Sequence, residues 1–277
     1  MADRDLARLQ KMNVSKRGTN IQIQSPYTSL LDMINSRGDE YPSLSELDSY
    51  NHGNTFHELD GRIESMNTLY RLPPHLRITP AAPGDRTCNW EGDTLFIYRG
   101  ALTAGLRFPF HEFIPRLLAN VQINPCQLPP NAWRNIICFM VLCLRNNFPL
   151  SVAVFRKVFQ FYNSSMSQPG WVLIRQRPKI PHIFDSNSIV ENNPKWRDEF
   201  VRLTWAGGDW ATLFRRPFCK VSDGSPGSIR LSDEEEVAYQ ALISDDGKTD
   251  TWTLLEEFSL KKVGLSQASD KGKFITG

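Results

Sequence analysis

Nowhere in these 277 residues does an apolar run approach the ~18 uncharged residues a membrane-spanning helix needs. The longest, Ile136 to Leu144, is about half that length and reads as a buried helix. Met1 to Gln10 lacks the apolar core of a secretory signal. Cysteine is scarce and scattered: Cys88, Cys126, Cys138, Cys143 and Cys219 do not make a disulfide framework in a chain this long. The expectation is an intracellular protein, cytoplasmic or nuclear and not secreted, with no membrane partner.

Motifs of common chemistries are missing as well. His111-Glu112 begins like a zinc-protease helix, but the second imidazole must follow four residues after the first so that both face one metal, and Pro115 stands there. Cys138 and Cys143 are five apart with no histidine nearby, a spacing that points two helical side chains in different directions, so burial is the expectation. Gly207-Gly208 has no G-K-[ST] or G-x-G-x-x-G around it to cradle a phosphate. Gly224-Ser225-Pro226-Gly227 misses the spacing of a nucleophile elbow and reads as a turn. No catalytic residue, metal site, cofactor or small-molecule substrate is indicated, and the chain reads as a structural or interaction protein, not an enzyme.

What is present begins with ordinary globular composition, 40% hydrophobic and 22% charged, with a net charge of +2. That charge is unevenly distributed. Residues 171–220 carry nine Lys or Arg against five acids, whereas 221–277 carry eleven acids against six bases, concentrated at Asp233-Glu234-Glu235-Glu236. Residues 1–42 are polar and aperiodic and are expected to form a mobile arm, 43–220 the globular domain, and 221–277 an acidic helical segment.

Along the chain, Ser43-Leu-Ser-Glu46 fits a capping box, in which hydroxyl and carboxylate satisfy free backbone N–H groups at a helix start. A second helix is expected over 56–69 from Leu59, Ile63, Met66, Leu69 and Tyr70. Residues 72–93 contain Pro73, Pro74, Pro80, Pro83, Gly84 and Gly92, breakers that predict a loop. Leu95 to Tyr98 is strand or helix, with the period undecided. The signal then sharpens. Phe113, Leu117, Leu118 and Val121 mark one helix, with Pro115 in its first turn. Trp133, Ile136, Ile137, Met140, Val141 and Leu144 mark the next, opened by Pro129-Pro130. Ser151 is a candidate N-cap for a third, striped by Val152, Phe155, Val158, Phe159 and Tyr162. Short apolar runs at 170–175, 181–184 and 200–204 predict strands. Ser232-Asp-Glu-Glu235 is another capping box for a helix through about Leu242, and a last helix is expected from Thr251 to Val263, stopped by Gly264. The fold class is therefore α+β: a mainly helical central cluster with a small flanking β-sheet and C-terminal helices.

The basic segment is also rich in aromatics: Trp171, Phe184, Trp196, Phe200, Trp205, Trp210, Phe214 and Phe218. Bases stacked on aromatic faces, with phosphates neutralised by arginine and lysine, are a general solution for single-stranded RNA or DNA. Arg175, Arg177, Lys195, Arg197, Arg215 and Arg216 are its candidate residues. Asp185 ends an apolar run, with Asp198 and Glu199 downstream, the kind of place from which a nuclease carboxylate projects.

Certain stretches resemble a known family. Ala104-Gly-Leu-Arg-Phe-Pro-Phe-His-Glu-Phe113, Gln127-Leu-Pro-Pro-Asn-Ala-Trp133, Phe139-Met-Val-Leu-Cys143 and Phe155-Arg-Lys-Val-Phe159, flanked by Ala82-Pro-Gly-Asp85, Gly170-Trp171, Lys195-Trp196-Arg197 and Phe200-Val201, are similar to the plant gypsy-type transposon domain family. The resemblance covers roughly 70–210. It implies a plant chain derived from a transposable element, retrotransposon gag-like or transposase-like, with no established catalytic residues. A nucleocapsid zinc knuckle would need C-x2-C-x4-H-x4-C, and no cysteine pair has that gap. The long coiled-coil extension common in such proteins is not found either, which implies a truncated or domesticated form. The leading expectation is a non-enzymatic, gag-like protein that self-associates or binds a partner. The alternatives are a nucleic-acid-binding module using 171–220 and an inactive or divergent transposase or nuclease remnant.

Overall fold

From Pro130 the chain offers a proline at the one helical position where the missing N–H costs nothing, followed by apolar side chains on nearly every face. The computed structural model forms a helix over Pro130–Arg145. Trp133, Ile136, Ile137, Cys138, Phe139, Met140, Val141 and Cys143 are all buried. A helix with apolar side chains around most of its circumference has to be covered on most sides, and the rest of the fold is arranged accordingly. The structure describes residues 66, 70, 72–82, 85, 87, 94–164, 170–185, 196–197, 199–205, 221, 228–244 and 248–267.

In chain order the described elements are β1 (Leu76–Pro80), β2 (Thr94–Tyr98), α1 (Arg99–Thr103), α2 (Phe113–Val121), a 3-10 turn (Pro125–Gln127), α3 (Pro130–Arg145), α4 (Val152–Val158), β3 (Phe159–Asn163), β4 (Val172–Gln176), β5 (Phe200–Trp205), α5 (Asp233–Ser244), α6 (Thr251–Leu255) and α7 (Glu257–Lys262). The class is α+β. The strands make two separate antiparallel sheets, not one: β1-β5-β2, with β5 in the centre, and the hairpin β3-β4. Helix α3 packs against α1, α6, α7 and β4, while α5 lies on α4.

A chain of aromatic rings runs through this core. Phe113 of α2 meets Phe139 of α3 at 5.8 Å, Phe139 meets Phe155 of α4 edge-on at 5.1 Å, Phe155 stacks on Phe159 of β3 at 4.7 Å, and Phe159 reaches Phe184 at 6.1 Å. Offset and edge-to-face pairs of this kind add about 0.5–1.5 kcal/mol each to the area they bury. A second cluster, centred on Phe96, Tyr98, Trp171 and Phe200 with Trp196 against it, sits on the three-stranded sheet.

Many local expectations hold. Ser151 Oγ accepts from the N–H groups of Ala153 and Val154. At α5, Glu235 N donates to Ser232 Oγ at 3.3 Å and Ser232 N to Glu235 Oε2 at 2.8 Å, the reciprocal capping box. Gly264, at φ +75°, ends α7. Helix α3 starts where its proline pair stands.

Four readings need correcting. The third helix does not reach Tyr162: it stops at Val158, and Phe159, Phe161 alternate with Gln160, Tyr162 in a strand, because β4 supplies a ladder partner there. The proline-rich stretch 72–93 contains β1, an edge strand tolerated because Pro80 lies at its end, where no further ladder donor is needed. The expected helix 251–263 breaks at Glu256, whose ψ of 141° separates α6 from α7. The run 181–184 is not a strand, although Ile183 and Phe184 are buried. The capping box at Ser43 and most of the helix expected over 56–69 lie outside the described residues, apart from the helical, buried Met66 and buried Tyr70.

The Gly-Leu-Arg-Phe-Pro stretch has a structural purpose. Gly105 adopts φ +91°, and a Cβ there would meet Ile137 Cγ2 and Leu255 Cδ2 at 2.9 Å, so α3 and α6 close on bare backbone. Arg107, buried, donates from Nη1 to Leu102 O at 2.7 Å and from Nη2 to Glu257 Oε2 at 2.6 Å, tying α7 to the same loop. Removing one member of such a pair leaves a buried charge uncompensated.

Phe155→Ala is expected to lower the unfolding free energy by about 3–5 kcal/mol in a urea titration, because its packing on Phe113, Phe139, Phe159 and Phe161 goes with the ring. Phe258→Ala, at a side chain 73% exposed, is expected to change it by less than about 0.5 kcal/mol. Equal effects would contradict this account of the core.

Candidate functional site

The hairpin β3-β4 has two faces. Phe159, Phe161, Val172 and Ile174 turn into the core, and period-two alternation places Gln160, Tyr162, Leu173 and Arg175 on the other side. Asn135 Nδ2 of α3 donates to Ile174 O at 2.9 Å and fixes the hairpin on the helix. Its outward face forms one wall of a cleft of about 360 Å³, completed by Asn163, Ser164, Trp171, Trp196 and Arg197.

The floor of the cleft is tied together by hydrogen bonds and ring contacts. Trp171 Nε1 donates to Tyr98 Oη at 3.1 Å, and Tyr98 packs edge-on against Trp196 at 4.8 Å. Trp171 and Trp196 meet edge-on at 5.4 Å. Asn163 is held twice, its Nδ2 donating to Val221 O at 3.0 Å and its Oδ1 accepting from Val221 N at 2.9 Å. Gln127 Nε2 donates to Gly170 O at 3.1 Å, anchoring the residue before Trp171.

Two guanidinium groups lie over these rings. Arg197 sits 4.9 Å from the Trp171 ring and 5.4 Å from the Trp196 ring, and Arg175, exposed, lies 4.8 Å over Tyr162. No carboxylate lines the cleft among the described residues, so its field is positive. Planar cations on aromatic faces gain about 0.5–1 kcal/mol at exposed sites, and the same guanidinium edge can pair with phosphate oxygens.

Of the six candidate cations, Arg175 and Arg197 therefore share one site. Arg177 does not: it is 8% exposed and donates from Nε to Arg156 O at 3.0 Å, a structural tie between β4 and α4. Lys195, Arg215 and Arg216 lie outside the described residues. Arg202, on β5, is paired with Asp85 at 2.7 Å. Tyr162 went unnoticed as a site residue because its spacing also fits the helix expected there. The Phe-Gln-Phe-Tyr alternation was the available signal.

The groups considered for catalysis have other tasks. His111 Nδ1 accepts from Phe113 N at the start of α2, and burial lowers its pKa, so it is neutral near pH 7. Glu199 lies 3.5 Å from Arg99. Asp185 makes a lone parallel bridge to Asp250, and the Asp250 carboxylate caps α6 by accepting from Trp252 N and Thr253 N. Among the described residues no three His, Cys, Asp or Glu side chains come together as metal ligands, and no described helix is long and apolar enough to cross a membrane. Cys126, Cys138 and Cys143 are buried free thiols. Burial pushes Cys138 far up, and Cys143 up to about 12, against the ordinary range near 8.5.

Residues 96–163, about a quarter of the chain, match the sequence profile of the family described as "Putative gypsy type transposon". That span runs from β2 to the end of β3 and includes Tyr162, while Trp171, Arg175, Trp196 and Arg197 lie beyond it. No curated protein and no solved structure matches the chain.

Because the folded thiols hold their protons to higher pH than unfolded ones, the stability tied to them is complete below about pH 8 and falls as pH rises further. Iodoacetamide at pH 8 is expected to leave Cys126, Cys138 and Cys143 unlabelled in native protein and to label all three in urea, as read by peptide mass spectrometry. Rapid native labelling of Cys143 would contradict the burial described.

Proposed function

We propose that the chain is a transposable-element-derived, non-enzymatic protein that binds single-stranded nucleic acid, RNA or DNA, through the arginine–aromatic cleft. The observation that carries the reading is the convergence of Arg175 and Arg197 with Tyr162, Trp171 and Trp196 around one cavity. A single strand presents unstacked bases for ring faces and phosphates for guanidinium groups, and both kinds of partner stand within one cleft. Aromatic residues buried only for stability would be expected on the inner face of the hairpin, where Phe159 and Phe161 already are. A nuclease remnant draws less support: of its three candidate carboxylates Glu199 is paired with Arg99, Asp198 lies outside the described residues, and Asp185 forms a backbone bridge to Asp250.

A self-associating, gag-like role is a second reading. It is favoured by the exposed Trp252 (48%) and Phe258 (73%) on the successive helices α6 and α7, since large apolar side chains held in water often mark contact surfaces. Light scattering across a concentration series tests it: mass rising with concentration, and reduced by Trp252→Ser/Phe258→Ser, is the expected result, whereas a constant monomer mass overturns it.

For the nucleic-acid reading, anisotropy of labelled single-stranded RNA and DNA at two salt concentrations is the test. Arg175→Ala/Arg197→Ala is expected to weaken binding about ten-fold or more, and to reduce the slope of log affinity against log salt by ~0.7 for each phosphate no longer neutralised. Arg116→Ala, at an exposed arginine on α2 paired only loosely with Glu112, is expected to leave both unchanged. Salt-insensitive binding, or a double variant that binds like the native protein, would overturn the reading.

A further inference from the structure

Within the cleft the two arginines are held differently. Arg197 is in contact with two indoles at once, 4.9 and 5.4 Å from their ring centres, one in the core cluster on the three-stranded sheet and the other, that of Trp196, packed against it. Arg175 touches a single ring, that of Tyr162, from the exposed side of the hairpin, and makes no ion pair among the described residues. A lone guanidinium on one exposed ring is weakly held and easily displaced by another planar group.

Tyr162 itself is unusual. Strand parity places it on the face away from the phenylalanine core, where a ring is not needed for packing. Its hydroxyl oxygen is nevertheless buried and has no hydrogen-bond partner among the described residues. A phenol can both donate and accept, and buried polar groups in folded proteins are almost always satisfied. The Tyr162 hydroxyl lies beside the arginine–aromatic cleft that its own ring helps to line, so it is placed to donate to, or accept from, a group entering there.

Resting on the strand-binding reading above, we propose that the Tyr162 ring is the platform for one unpaired nucleobase. In the free protein Arg175 covers the ring. When a strand enters, the base takes the ring face, Arg175 moves to the neighbouring phosphate, and the Tyr162 hydroxyl, which lies in the plane of its ring, hydrogen-bonds to the edge of the adjoining base. Arg197 stays between its tryptophans and contacts the backbone. The ligand class is a single strand with at least one unstacked base. A duplex does not fit this platform, because its base faces are covered by their stacked neighbours.

The test compares a short homopolymer with an abasic strand of equal length and charge, each against the native protein and three variants, with the same homopolymer in duplex form. The native protein is expected to prefer homopolymer over abasic strand by roughly ten-fold, one base stacked on one ring, and over duplex by at least as much. Tyr162→Leu is expected to remove that preference without changing affinity for the abasic strand. Tyr162→Phe, which keeps the ring, should fall between, losing only the hydroxyl hydrogen bond. Arg175→Ala should weaken the abasic strand by the lost phosphate contact and leave the preference for the homopolymer at least as large, because the ring is then uncovered.

Outcomes separate the two claims. If Tyr162→Leu leaves the ratio intact, or if it weakens both strands equally, the platform is overturned while strand binding survives. A Tyr162→Phe protein indistinguishable from the native one overturns the hydroxyl's role, and a ratio abolished by Arg175→Ala overturns the division of roles between the arginine and the ring. Absence of homopolymer binding by the native protein overturns strand binding and the platform together.

Discussion

Helix α3 is buried along almost its whole length, and that single constraint organises the described structure. From Trp133 to Cys143 only Asn135 is half-buried, so α1, α6, α7 and the inner face of β4 must each cover a part of it. Local oddities follow from this need for close cover. Gly105 is bare because α3 and α6 approach one another there, and the buried Arg107–Glu257 pair clamps α7 in place. The hairpin is held by Asn135 at Ile174, so its inner face is committed to the helix. Its outer face is then free for another purpose, and the cleft is built upon it.

The cleft differs from an ordinary packed surface in what it combines. Stacked arginines and tryptophans are common stabilising pairs, and Arg197 between Trp171 and Trp196 would serve that end alone. Tyr162 fits it less well, being a ring on the solvent-side face, under an exposed arginine, with a hydroxyl unsatisfied among the described residues. The floor beneath is tied together by the Trp171 to Tyr98 hydrogen bond. Well-held floor and loosely held lip are the arrangement expected of a site that exchanges one planar partner for another.

Much of this was legible in the sequence where local chemistry decides structure. The proline pair and the Trp133 to Leu144 stripe gave α3 its start and its period, and Ser151 and Ser232 acted as the caps their residue types suggest. Legibility failed where a partner distant in sequence decides. Phe159 and Tyr162 fit a helical stripe until β4, ten residues on, offers a ladder, and β1 is hidden among prolines until β5 pairs with it. The same failure hid part of the site. Charge and aromatic content pointed to Arg175 and Arg197, but the outward parity of Tyr162 exists only once residues 159–163 are a strand. Burial of Arg177 likewise depended on a tertiary partner, the carbonyl of Arg156.

The matched profile places residues 96–163 with a transposon family, while much of the cleft is contributed by the chain beyond that span. The account therefore turns on whether nucleic acid meets the protein at this cleft and not elsewhere. The most direct measurement is a nitrogen–proton correlation spectrum of the tryptophan indoles during addition of a short single-stranded oligonucleotide. The prediction is that the Trp171 and Trp196 indole signals move together, while those of the fully buried Trp133 and of Trp252 on the surface of α6 stay in place. Shifts confined to Trp252, or no shift at Trp171 and Trp196 under saturating strand, would contradict it.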